Sequence, residues 1–125
     1  MVSFEEAAVM LDEIALELPG DIFIELNGGI NLLPDVKPHP DGESGELYIM
    51  GEYCHNNIGR YINVYYGSVM RLYHRLPRES MREKLIGILK HEFTHHLESL
   101  AGERELIIKD MIQIEKYKER DDVKK

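Results

Sequence analysis

Apolar residues recur along this chain in two periods, and the changes between them mark out its elements. The opening is helical. Phe4, Ala7, Ala8, Leu11, Ile14, Ala15 and Leu18 fall on one face, with Ser3 placed as N-cap and Glu6 as its capping-box partner. Pro19-Gly20 stops that helix. Asp21 to Leu26 allows two readings: Ile22, Ile24 and Leu26 alternate like a strand, while Asp21 can cap a short helix. Asn27-Gly28-Gly29 makes a turn, and Ile30 to Leu33 a short strand ended by Pro34. Pro34 to Gly45 holds three prolines and two glycines and reads as a surface loop within one domain. Leu47 to Tyr53 and Tyr61 to Tyr66 read as strands, which Asn56-Asn57-Ile58-Gly59 joins as a hairpin.

The helical period then returns. Ser68 is a cap candidate for a helix through Met70, Leu72, Tyr73 and Leu76, interrupted at Pro77. A long helix runs from Glu79 to about Leu100, and Gly102 reads as its break. A last helix from Glu103 to about Lys118 carries Leu106, Ile107, Met111 and Ile114 as its apolar stripe. Asp121 to Lys125 reads as a frayed tail. No repeat or low-complexity stretch divides the chain, so residues 1–120 form one domain followed by a tail at 121–125.

Composition narrows the class. The chain has 125 residues, 43% hydrophobic and 30% charged, as expected of one globular domain. A net charge of −8 argues against a phosphate-binding surface and so against nucleic acid as partner. No apolar run is long enough to span a membrane, and the start, Met1-Val2-Ser3-Phe4-Glu5-Glu6, is acidic where a signal peptide is basic. A single cysteine, Cys54, suits a reducing compartment. Together these features predict a cytoplasmic protein.

The chemistry concentrates at Lys90-His91-Glu92-Phe93-Thr94-His95-His96, on the long helix. Histidines four apart stand one above the other on a helix face, so His91 and His95 can share one Zn²⁺ with Glu92 beside them as general base. On a helical wheel Leu85, Leu89, Phe93 and Leu100 cluster, flanked by Met81 and Ile88. His91 and His95 lie beyond that flank, and Glu92 falls between them and the apolar face. His96 points into the apolar side, which predicts a buried histidine hydrogen-bonded to backbone rather than a ligand. A catalytic zinc takes a third protein ligand. Glu98, Glu103, Glu105 and Asp110 are available. Glu98 lies a turn beyond His95 and suits an orienting role. Glu103 follows Gly102, where a reversal of the chain can return a carboxylate to the metal, and is the favoured ligand, with Glu105 next. His39, His55 and His74 are isolated and read as surface residues; Cys54 and His55 are strand neighbours and point to opposite faces. None of the seven tyrosines is singled out by spacing.

With these residues in place, the chain resembles the small zincin-like metallopeptidase family of bacteria. The resemblance rests on the N-terminal helix Phe4 to Pro19, the strand Tyr61 to Tyr66, and His-Glu-x-x-His-His at His91 to His96. It implies an α+β, minimal zincin-like fold: a small mixed sheet packed against an N-terminal helix and the motif helix. It also implies Zn²⁺ on His91 and His95 with Glu92 as base. Some relatives place a glycine three residues after the second motif histidine and an acidic ligand three further on; here those places hold Glu98 and Ala101. The expected function is a zinc-dependent peptidase acting on a peptide or protein substrate, with a strand such as Tyr61 to Tyr66 offering its edge to the extended chain. The alternative is a non-enzymatic metal-binding or interaction domain.

Overall fold

The computed structural model describes residues 1–42 and 47–124, side chains excepted at Ile107 and beyond Gln113. The order is α1 (Phe4–Glu17), a 3₁₀ turn (Gly20–Phe23), β1 (Ile30–Leu33), β2 (Lys37–Pro38), β3 (Tyr48–Ile49), β4 (Gly51–Asn56), β5 (Gly59–Tyr65), α2 (Tyr66–Tyr73) and α3 (Arg78–Lys124). The fold is α+β.

Helix α1 starts where its capping chemistry is strongest: the Ser3 hydroxyl accepts the Glu6 N–H at 3.1 Å. It buries Ala7, Met10, Leu11 and Ile14. The sheet order is β1-β5-β4, with β1 parallel and β4 antiparallel to β5, so the sheet is mixed and β5 is its centre. Ile62 and Val64 of β5 are wholly buried. They pack with Ile14 of α1 and with Met81, Leu85, Leu89 and Phe93 of α3 in one continuous core. Each such side chain contributes on the order of 1.5–3 kcal/mol by burial. The pairs of Arg78 with Glu6, and of Arg82 with Glu13 and Glu17, clip α1 to α3 at the surface. Exposed pairs of this kind add about 0–1 kcal/mol each. The core therefore sets how α1 sits on α3, and the ion pairs adjust it.

The structure settles one open alternative and changes several expectations, including that of a plain loop over Pro34 to Gly45, which contains β2. The segment 21–26, compatible in sequence with strand or helix, takes the helical alternative: a 3₁₀ turn over Gly20–Phe23 seats Ile22 and Phe23 against the core. The strand expected over 47–53 is broken at Met50. β3 pairs with β2 in a separate two-stranded ribbon, while β4 pairs with β5, and the Met50 carbonyl accepts the Tyr65 N–H at 2.8 Å. Ser68 does not cap α2, which begins two residues earlier; it is buried within the helix and its hydroxyl accepts the Lys37 N–H at 2.7 Å. Gly102 does not break the motif helix, which continues to Lys124, past the expected start of the tail. Its neighbours explain this. Ala101, Glu103, Arg104 and Glu105 are good helix formers, and one glycine costs only about 1 kcal/mol. Beyond the core, Leu106 and Met111 are exposed rather than packed; the side chains of Ile107 and Ile114, and Lys125, lie outside the described residues.

Candidate metal centre

α3 carries the motif across the edge strand β4. The helical repeat brings the Nε2 atoms of His91 and His95 to 3.2 Å from each other. Both residues are exposed on that flank, their rings edge to face with centroids 4.7 Å apart. Two nitrogens bound to one tetrahedral zinc lie about 3.3 Å apart, given zinc–nitrogen distances of about 2.0–2.1 Å. The pair thus has the spacing of a shared ion as well as that of an N–H···N hydrogen bond. The Glu98 carboxylate stands 3.7 Å from the other nitrogen of His95, Nδ1, within reach of an ion pair but longer than a hydrogen bond.

Glu92 is buried, at 6% exposure, and lines one groove with both histidines. Burial holds its carboxyl above the usual range, against the opposing pull of His91, His95 and the Tyr53 backbone N–H. β4 comes this close because Gly51 has no side chain. A Cβ there would stand 2.6 Å from Ile88 Cγ2 and 3.3 Å from a Glu92 oxygen.

Glu103, the expected third ligand, is elsewhere. With α3 unbroken at Gly102, Glu103 lies eight residues past His95, about 12 Å along the axis. Its carboxylate pairs with the buried guanidinium of Arg60. Glu105 and Asp110 lie still further along the same helix. Among the described residues, no group of three His, Cys, Asp or Glu side chains is gathered for a metal ion.

The Arg60 pair belongs to a network that holds β4 and β5 against α3. Arg60 donates to Tyr53 Oη at 3.0 Å and Ser99 Oγ at 2.7 Å. His96, fully buried as its wheel position predicts, lies 2.9 Å from Tyr53 Oη through Nδ1 and 2.8 Å from the Ile24 carbonyl through Nε2. The carbonyl can only accept, so His96 carries its proton on Nε2 when neutral, and Tyr53 donates to Nδ1. Among the described residues, every buried side-chain nitrogen and oxygen has a hydrogen-bond partner. Tyr53 and Arg60 carry no sequence signal for this role, because their partners lie up to 43 residues away.

His39 is also nearer the chemistry than its isolation in sequence implies. It lines a cleft with Tyr48, Ile49, Met50, Gly51, Ile88, His91 and Glu92. Its Nδ1 accepts the Asp41 N–H at 3.0 Å. Cys54 sits 3.7 Å from a Glu52 oxygen, and burial pushes its thiol up, so it is a poor nucleophile.

The architecture has a solved counterpart. A conserved hypothetical protein from T. thermophilus superposes with a TM-score of 0.67 at 29% identity, over 80% of this chain and 98% of that one. No family model matches the sequence, and no curated protein matches it. No helix among the described residues is long and apolar enough to cross a membrane.

Proposed function

We propose that this chain is a zinc-dependent peptidase with a minimal zincin-like fold. The observation that carries the reading is the 3.2 Å approach of the His91 and His95 Nε2 atoms in a groove that the buried Glu92 also lines. Bound zinc supplies Lewis-acid polarisation of a carbonyl and acidification of water. Glu92 takes the proton of the attacking water as its oxygen bonds to the scissile carbon, then returns it to the leaving amine as the C–N bond breaks. Glu98 orients His95. The extended substrate lies along β4, the sheet's edge, rather than the β5 segment suggested by sequence; β5 is flanked by β1 and β4.

The second reading, a metal-binding or interaction domain without turnover, is favoured by one observation: among the described residues the two histidines gain no third protein ligand. One experiment separates the readings. Purified untagged protein is analysed for zinc and assayed on a peptide library, beside Glu92→Gln and a His91→Ala, His95→Ala double variant. The peptidase reading expects about one zinc per chain in wild type and Glu92→Gln, none in the double variant, and cleavage by wild type alone. Zinc without cleavage leaves the second reading. Equal zinc in wild type and double variant removes both.

A further inference from the structure

A glycine stands one turn before the motif, and neither backbone nor packing calls for it. Gly87 lies in α3 four residues before His91, so a side chain there would stand beside the first histidine. Its φ is not positive. A Cβ built on it meets nothing within 4 Å. Yet glycine in an exposed helix interior costs about 0.5–1 kcal/mol relative to alanine. What its bareness provides is room. Gly87 lines the cleft that reaches His91 and Glu92, a space of about 520 Å³, within the range of small-ligand pockets. Tyr48, Ile49 and Met50 line one side and Ile88 the other. Glu83, Lys84 and His39 also line it; Glu83 and Lys84 offset each other in charge, and the Lys84 ammonium is engaged by the Tyr73 ring at 4.2 Å.

We propose that this cleft receives a bulky apolar side chain of the peptide held at His91 and Glu92, and that Gly87 is the specificity-determining residue that keeps it open. The proposal rests on the peptidase reading for its ligand. The occupant is fixed by continuity: the cleft shares Gly51, His91 and Glu92 with the groove along β4, so it takes a side chain from a substrate lying there. Burying a leucine- or phenylalanine-sized group favours binding by roughly 10- to 100-fold over glycine at the same position.

The test uses the full zinc-loaded chain carrying Glu92→Gln, so that peptides bind without being consumed. Fluorescein-labelled peptides, identical except for Gly, Ala, Leu or Phe placed at successive positions, are titrated by anisotropy. At one position Leu and Phe should bind about 10-fold or more tighter than Gly. Adding Gly87→Leu should bring that ratio to near one, with zinc content kept and the melting temperature not lowered. Gly87→Ala should keep a preference for large residues and raise the melting temperature. A flat affinity series, or a preference that survives Gly87→Leu, overturns the proposal, as does failure of every peptide to bind. Wild type that cleaves peptides without side-chain preference sinks the pocket and leaves the peptidase standing. Peptides that bind with the expected preference but are never cleaved do the reverse.

Discussion

At the scale of single residues, the positions on the motif were legible and their distant partners were not. His91, His95 and Glu92 follow from the repeat of one helix, and so does the burial of His96, because a wheel needs nothing but local sequence. Glu103 shows the limit. A glycine before an acid is equally compatible with a reversing cap and with an unbroken helix, and Arg60, the residue that claims this carboxylate, lies 43 positions away. The consequence can be measured. Glu103→Ala should leave zinc content unchanged while lowering stability by about 1 kcal/mol, since Arg60 keeps Tyr53 and Ser99 but loses its carboxylate and Glu103 itself is half exposed. Chelator competition and urea unfolding on the same preparation provide both numbers. A zinc affinity that falls tenfold or more would mean that the carboxylate leaves Arg60 for the metal.

At the scale of elements, periodicity located α1, β1, β5 and the start of α3 within one or two residues, because each has its own apolar face and its own stop signal. It missed what long-range pairing decides. β2 is only two residues long and exists because β3 lies opposite it; the division of residues 48–56 into two strands comes from their different partners. It also misjudged Gly102, where the sequence signal for a stop is weaker than the helix formers around it. Glycine there has no positive φ and no close neighbour. Gly102→Ala should therefore stabilise the protein, by about 0.5–1 kcal/mol in equilibrium unfolding. A left-handed cap at that position would make the same substitution destabilising, so the sign of the change reports whether α3 is continuous.

At the scale of the whole molecule, a polar cluster ties the two-stranded ribbon to the main sheet, and the ribbon supplies a wall of the cleft. Lys37 of β2 donates to both Glu52 oxygens of β4, at 2.8 and 2.9 Å, and Tyr65 of β5 donates to Glu52 at 2.9 Å. β3, the other strand of the ribbon, carries the Tyr48 and Ile49 wall of the cleft. The Lys37 ammonium, with the Tyr65 hydroxyl, holds the Glu52 carboxyl below the usual range, against the opposing effect of burial. A carboxyl lowered on folding binds fewer protons in the native state than in the unfolded one, so stability rises with pH across the window between the two values. Its contribution is complete above the unfolded value, near pH 4.5, and is lost as pH falls through the lower folded value. Glu52→Gln removes that linkage. Its melting temperature should lie a few degrees below wild type at pH 7, and the gap should narrow steadily as pH is lowered from about 5 toward 3. Calorimetry across that range checks the slope. A gap that stays constant with pH would mean that Lys37 and Glu52 hold the ribbon by shape alone, and that their charges contribute nothing to keeping the cleft wall in place.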